Sequence, residues 1–361
     1  MENNKIKIAI VFGGKSAEHQ ISLISAFNIM KVLDKDRYEI IPVGITRNGV
    51  CCSFDSDPIL NETDPTSVAL NEKRHEIAFI KNGFYDLLEG KKYHIDIAFP
   101  IIHGTNGEDG TLQGLLKMSD IPYVGPDTLG SAICMDKDIA KKLLLNAEIP
   151  VSNFITLQKG EAADFDQLSS RLGLPLFVKP ANAGSSVGVN KVNNRDEFRE
   201  AIEEAFKYDK KILVETAIIG REIECSVLGN EKPEASVPGE VMPNHEFYSY
   251  ESKYIDENGA SFGIPAKLSN DEVKLIKDTS VRTFQTLGCE GMARVDGFLT
   301  KDGSFIINEV NTLPGFTNIS MYPKLWQSSG LSYSELLDRL VELGFARHQY
   351  EKEIEQNYQN I

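Results

Sequence analysis

The chain has 361 residues, 41% hydrophobic and 25% charged, with no low-complexity tract and no internal repeat, which excludes a disordered or fibrous protein. Its length exceeds a single core and predicts two or three domains. A formal net charge of −15 excludes a general nucleic-acid or anionic-membrane surface, so any anionic ligand must meet a local cluster of Lys and Arg.

In chain order, the apolar run Ile6 to Phe12 predicts a buried parallel strand, Gly13-Gly14 a turn, and Ile21, Ile24, Ile29 and Val32 a helix running on from Ser16. Strands over Tyr38 to Ile45 and Ile95 to Ile102, and a helix near Leu112 to Met118, follow the same logic. This alternation predicts an open parallel α/β sheet, Rossmann-like, with ligands at the carboxyl ends of its strands. Residues 50 to 93 are polar and irregular, and no element order is predicted for them. The turn Gly13-Gly14-Lys15-Ser16-Ala17-Glu18 lacks the Gly-x-Gly-x-x-Gly spacing, which disfavours nicotinamide binding. Glu18 either stabilises the first helical turn or offers a carboxylate to an ammonium group at the strand-end crevice. His103, Gly104, Gly107 and Asp109-Gly110 close the third strand at the same edge, where a lone His is more often structural.

A Pro/Gly-rich turn near Pro122 to Leu129 places a boundary at about residue 130. Residues 131–220 then read as a small α+β unit: helix Asp136 to Leu145, strand Leu174 to Val178, a glycine loop, strand Val189 to Val192, helix Glu197 to Phe206 and strand Lys211 to Glu215. Residues 221–361 follow, with further strands, the polar segment Asn244 to Gly259, helix Asp271 to Leu287, a hairpin, and a terminal helix from Tyr333 to about His348. Five cysteines (Cys51, Cys52, Cys134, Cys225 and Cys289) are odd in number, lack metal-ligand spacing and fit a reducing compartment. No run approaches membrane-spanning length and Ile8 to Phe12 is too short for a signal sequence, so a cytoplasmic protein is expected.

Lys179-Pro180 leads into Ala181-Asn182-Ala183-Gly184-Ser185-Ser186-Val187-Gly188, a loop whose backbone N–H groups can approach phosphate oxygens. It is not a Walker A loop, and a simple hairpin is the alternative. Lys137 begins a helix, where a lysine is electrostatically misplaced unless an anion compensates it. Tyr248 to Tyr254, with Lys253, is a set of surface aromatics, an exposed edge strand, or a loop that closes over a site and excludes water.

The stretch Ala293 to Thr317 carries the sharpest signal. Asp302-Gly303 fits a two-residue type I′ turn, which sets Asp296 opposite Glu309 and Arg294 opposite Asn311 on one face. Opposed like charges destabilise a sheet unless something positive sits between them. Three oxygen donors with no Cys or His nearby suit Mg²⁺ or Mn²⁺; the alternative is a solvated hairpin face. A turn longer by one residue would shift the register and separate the pair.

Taken together, HGTNGEDGTLQG, KPANAGSSVG, FYSYESKY and ARVDG…NEVNTLPGFT resemble the D-alanine:D-alanine ligases of the ATP-grasp superfamily, in order and spacing across nearly the full chain. The resemblance implies an ATP-grasp fold, a homodimer, D-alanine and ATP as small-molecule partners, and two Mg²⁺ or Mn²⁺ ions. It implies that Lys137, Lys179, Ser186 and Lys253 contact ATP phosphates, that Glu215 and Glu222 bind the adenine and ribose edges, and that Asp296, Glu309 and Asn311 hold metal. Glu18 and His103 would position the first D-alanine, with Ser185 and Tyr254 linked to Glu18. Arg294 and the Gly315 N–H would stabilise an oxyanion, and Ser320 would bind the second carboxylate. An apolar Met321 offers no hydrogen bond to a hydroxyl, which favours D-alanine over D-lactate or D-serine as second substrate. The implied reaction forms an acyl phosphate from one D-alanine, which the amine of the other attacks. Asn106 stands where some relatives carry glycine, and Asn308 where some place an apolar adenine-pocket residue. The rival readings are a D-lactate or D-serine ligase of this fold and a non-catalytic nucleotide sensor.

Overall fold

The computed structural model describes residues 5–54, 75–243 and 260–359. The first sheet is centred on β1 (Ile6–Gly13), which pairs in parallel with β2 (Tyr38–Ile45) and β7 (Ile97–Pro100). Ile8 to Phe12 are fully buried, as a strand covered on both faces requires. Helix α1 (His19–Val32) packs against this sheet, and α2 (Thr111–Met118) follows β7. The stretch without a predicted order adds antiparallel strands to the β2 edge: β3 (Cys51–Ser53), β4 (His75–Ile80), β5 (Gly83–Asp86) and β6 (Lys91–His94). The sheet is therefore a parallel core with an antiparallel extension.

Helices α3 (Thr128–Met135) and α4 (Lys137–Asn146) lead to the second sheet, so residue 130 lies inside a helix. That sheet has the order β10-β9-β11-β8 and is antiparallel throughout, formed by β8 (Phe154–Gln158), β9 (Leu176–Pro180), β10 (Asn190–Val192) and β11 (Lys211–Thr216). Strand β9 starts two residues later than the apolar run predicts, because Pro175 has no N–H to give the ladder. Helices α5 (Phe165–Leu172) and α6 (Arg195–Tyr208) bury Leu168, Leu172, Phe198 and Ala201 against it.

The third sheet has the order β15-β14-β12-β16-β17: β12 (Gly220–Gly229), β14 (Gly239–Pro243), β15 (Ala260–Gly263), β16 (Gly291–Thr300) and β17 (Phe305–Asn311), with the short β13 (Glu234–Ala235) on β12. Helix α7 (Asn270–Thr286) opens on a capping box in which Ser269 and Glu272 satisfy each other's backbone N–H groups. Helix α8 (Met321–Ser328) leads to α9 (Tyr333–Gln359). The terminal helix runs eleven residues beyond the end its apolar pattern predicts, at His348. Its extension is held by charge: Glu351 pairs with Lys117 at 2.8 Å and Lys352 with Asp120 at 3.0 Å. Leu336, Leu337, Leu340 and Val341 of α9 share one core with β1 and with Leu313, tying the end of the chain to the first sheet. Among the described residues, no helix is long and apolar enough to cross a membrane.

Candidate active site

Strands β16 and β17 carry the two opposed carboxylates, but by a different route from the one the turn predicts. The loop has three residues, Lys301 to Gly303: the Gly303 N–H donates to Thr300 O, the Thr300 N–H donates to Ser304 O, and Gly303 takes a φ of +82°. Asp302 stabilises the longer loop by accepting hydrogen bonds from the Thr300 and Ser304 hydroxyls. Near the turn the pairs are accordingly Leu299 with Phe305 and Gly297 with Ile307, one residue off the predicted register. A bulge between Asp296 and Gly297 then takes up Asn308 as an extra residue, so Asp296 faces Glu309 and Arg294 faces Asn311 after all. The added residue brings an acceptor: Asn308 Oδ1 accepts a hydrogen bond from Lys179 Nζ at 3.2 Å. Asn308 thus offers a polar contact where an apolar floor was an alternative.

Positive charge beside the two acids comes from the chain itself. Arg294 grips Asp296 with Nε at 2.8 Å and Nη2 at 2.7 Å, and Lys137 Nζ lies 3.3 Å from Glu309 Oε2. Asn311 Oδ1 is buried and has no hydrogen-bond partner among the described residues. A carbonyl oxygen left over beside two carboxylates, with no nitrogen or sulfur donor in the set, fits a hard divalent cation.

Two cavities meet here. The larger, about 590 Å³, is lined by Lys179, Ser186, Glu215, Glu222, Phe298 and Ile306, with Lys137 and Glu309 at its edge. Lys179 and Lys141 flank Glu215 at 2.5 and 2.7 Å, and Ser152 receives a hydrogen bond from Lys141 and gives one to Glu215. Burial alone would raise the Glu215 pKa, but the two ammonium groups pull it down to about 2. Burial lowers the Lys141 pKa to about 8, and repulsion from Lys179 and Lys137 adds to this against the pull of Glu215. The Glu215 carboxylate is thus committed to lysines. The loop above β9 bends through Ser185 and Ser186, both in the left-handed region at φ +50° and +58°, a strain of order 1–3 kcal/mol each that persists only where surroundings enforce it. Lys137 Nζ donates to Ala183 O at 2.7 Å and pins that loop.

The smaller cavity, about 400 Å³, is lined by Glu18, His103, Ser185, Gly315, Ser320 and Met321, and also by Arg294 and Asn311. Ser185 donates its hydroxyl to Glu18. His103 Nδ1–H donates to Leu313 O at 2.9 Å, so Nε2 is the acceptor facing the Ser25 hydroxyl at 3.4 Å, and burial keeps the ring neutral by lowering its pKa. Gly104 leaves room for the acid: a Cβ there would meet Glu18 Oε2 at 3.2 Å. Ser320 Oγ accepts the Thr317 N–H at 2.9 Å just ahead of α8. Tyr254 and Lys253 fall outside the described residues. Lys137, Ala183, Gly184, Glu224 and Glu309 line both cavities, so what occupies one touches what occupies the other.

Three site residues escape the sequence reading. Lys141 follows Lys137 by one helical turn on the same face of α4, a spacing that was available as a signal. Glu108 lies inside HGTNGEDG; it accepts the Gly104 N–H at 2.6 Å, and burial, with repulsion from Glu18, raises its pKa to about 8. Glu224 sits in β12 between the buried core residues Ile223 and Cys225, an alternation that turns it to the cavity side.

A glycine- and serine-rich loop on one antiparallel sheet and an acidic hairpin on another, closing on a common cleft, define the ATP-grasp class of ligase. The family model described as D-ala D-ala ligase N-terminus matches residues 7–126, and the one described as D-ala D-ala ligase C-terminus matches residues 143–342. The chain is 53% identical over 359 residues to a D-alanine–D-alanine ligase of Oceanobacillus iheyensis, covering 97% of this chain and 98% of that one. It is 50% identical over 353 residues to one of Proteus mirabilis, covering 96% of each. Among solved structures, the D-alanine–D-alanine ligase of Coxiella burnetii superposes with a TM-score of 0.89 at 39% identity over 98% of both chains. The VanG D-Ala:D-Ser ligase of Enterococcus faecalis gives 0.84 at 38%, over 94% of this chain and 100% of that one. The chain belongs to the D-alanine–D-alanine ligase family.

Proposed function

We propose that the chain joins two D-alanine molecules at the expense of ATP, supplying D-alanyl-D-alanine for cell-wall synthesis, with the residues above in the following roles. The observation that carries this reading is the meeting of the two cavities at Lys137, the Ala183-Gly184 loop, Glu224 and Glu309, which brings a nucleotide's terminal phosphate against a small carboxylate substrate. Lys137, Lys179 and Ser186 take phosphate oxygens, with Lys253 from the segment outside the described residues. The backbone at Glu215 meets adenine while its carboxylate holds Lys179, and Glu222 takes the ribose. Glu18, steadied by Ser185 and Tyr254, holds the first D-alanine's ammonium beside neutral His103. That substrate's carboxylate oxygen attacks the γ-phosphorus as the bond to ADP breaks, turning a poor leaving group into phosphate. The second substrate's amine, having lost a proton, then attacks the acyl carbon, and Arg294 with the Gly315 N–H stabilises the resulting oxyanion, each such donor being worth roughly 3–4 kcal/mol. The oxyanion collapses as the C–O bond breaks and phosphate leaves. Ser320 binds the second carboxylate, and Met321, buried beside it, presents no partner to a hydroxyl. Asp296, Glu309 and Asn311 would hold two Mg²⁺ or Mn²⁺ ions, which offset charge on the transferring phosphoryl group.

The same reading places the enzyme in the cytoplasm, as its five free cysteines support, and makes it a homodimer, which light scattering of the purified protein tests. It also divides the chain near residue 130, inside α3, and near residue 220, which separate unfolding transitions in calorimetry would test. For the reaction itself, phosphate release from ATP is expected to depend on D-alanine and to yield the dipeptide by mass spectrometry. Release that ignores D-alanine overturns the reading. Feeding D-alanine with D-serine or D-lactate should still give mainly D-alanyl-D-alanine, and a dominant mixed product would contradict the role given to Met321.

A further inference from the structure

Arg294 stands between two carboxylates that face each other across neighbouring strands. Glu224 of β12 is the register partner of Asp296 of β16, so both side chains project from the same face of the sheet. Nε of Arg294 lies 2.8 Å from Asp296 Oδ1 and 3.0 Å from Glu224 Oε2, while Nη2 lies 2.7 Å from Asp296 Oδ2. Glu224 is only 6% exposed and lines both cavities at their junction.

These contacts set two demands on one residue. Asp296 forms a two-pronged pair with Arg294, and it is also the carboxylate a divalent cation would take. A cation and a guanidinium on the same carboxylate repel each other, and a largely buried arginine left without an acid is destabilised. Glu224 removes the conflict because it already lies within ion-pair distance of Nε. We propose that Glu224 is a positioning residue for Arg294: it keeps the guanidinium charge-paired and in place when a divalent cation takes Asp296, leaving the Nη groups to the acyl oxygen. The inference rests on reading Asp296 as a metal-binding carboxylate.

The test is a double-mutant cycle read by the binding of Mn²⁺, followed by electron paramagnetic resonance of the free ion, in the presence of a non-hydrolysable ATP analogue. With Arg294 present, E224Q should raise the Mn²⁺ Kd about tenfold, since among the described residues within ion-pair distance Arg294 then has Asp296 alone to hold; in an R294M background the same change should raise it less than about twofold. An equal rise in both backgrounds overturns the proposal, because it means Glu224 attracts the cation directly. No rise in either also overturns it. D296A separates the underlying reading: if its Mn²⁺ Kd matches the wild type, the metal assignment itself fails. A measurement on the unaltered enzyme covers the case in which the Gln variant does not fold. In a crystal structure with Mg²⁺ and the same analogue, Arg294 Nε should hydrogen-bond Glu224 and release Asp296, and an Arg294 still gripping Asp296 with both nitrogens overturns the proposal.

Discussion

Glu215→Gln removes the single carboxylate between two buried ammonium groups, and its effect follows from the network around Lys141. Glu215 falls from a usual 4.5 to about 2 in the folded chain. At 1.36 kcal/mol per pKa unit, the fold favours the ionised carboxylate by about 3 kcal/mol. The group is buried, so solvent does little to screen that figure, and removing one partner of a buried pair typically destabilises by about 3–5 kcal/mol. The variant has one escape: Lys141, already lowered to about 8, sheds its proton. That limits the loss and makes it shrink as the pH rises above neutrality. On the acid side, the depressed pKa of Glu215 contributes fully above about pH 4.5, and the contribution is lost as the pH falls towards 2. The stability gap between wild type and E215Q should therefore be widest between about pH 5 and 7 and narrow on both sides. Denaturant melts over this range read the gap, and calorimetry should show ATP affinity falling by tenfold or more, since Lys179 loses its anchor. A variant within about 1 kcal/mol of wild type at pH 7, with a parallel pH profile, would refute the account.

Glu108→Gln tests a shift of the opposite sign. Its raised pKa means the folded chain holds a proton the unfolded chain gives up, so wild-type stability should fall as the pH climbs from 4.5 to about 8. The isosteric amide should abolish that slope, matching wild type near pH 5 and exceeding it near pH 8 by no more than about 5 kcal/mol; parallel melting curves at the two pH values would count against a buried, protonated acid. Asp296→Ala or Glu309→Ala should abolish turnover at ordinary Mg²⁺, and near-normal rates in the phosphate-release assay would sink the metal assignment. Asp296→Ala should in addition leave Arg294 to Glu224, which a shift in its Nε–H resonance by nuclear magnetic resonance would register.

The parts of the fold that sequence resolves are those where burial imposes a period. Strands β1 and β2 are read to within a residue because Ile8 to Phe12 and Tyr38 to Ile45 are apolar runs bounded by turns. Strand β6 is invisible because Lys91 to His94 are all exposed and carry no alternation. The extension of α9 past His348 is equally silent, since ion pairs to Lys117 and Asp120 leave no apolar stripe. At the site, opposing Asp296 to Glu309 is right while the turn behind it is wrong. Thr300, Asp302 and Ser304 stabilise a three-residue loop through side-chain hydrogen bonds that a dipeptide rule does not see, and the Asn308 bulge restores the register. Two compensating residues leave no trace in hydrophobic periodicity, because Val310 remains in the core either way.

The paired charges of the site also bear on the order in which ligands enter. Every basic group assigned to phosphate or oxyanion among the described residues is held by an acid: Arg294 by Asp296, Lys137 by Glu309 and Lys179 by Glu215. A triphosphate alone would draw Lys137 away and leave Glu309 without its lysine, directly opposite the like charge of Asp296. A divalent cation alone would neutralise those acids but strand Lys137, while Arg294 would keep Glu224. Entering together, the two would exchange the Lys137–Glu309 and Arg294–Asp296 pairs for pairs with a ligand, while Arg294 keeps Glu224, and leave none of these charges alone. With the proposed roles, metal and nucleotide would be coupled through the protein's own salt bridges as well as through contact with each other, and such coupling is reciprocal, each raising the other's affinity by the same factor. Glu215 stands outside the exchange, because Lys141 and Ser152 hold it whether or not Lys179 is drawn to phosphate. Its carboxylate remains compensated throughout, which lets Lys179 serve the nucleotide without unsettling the sheet beneath it.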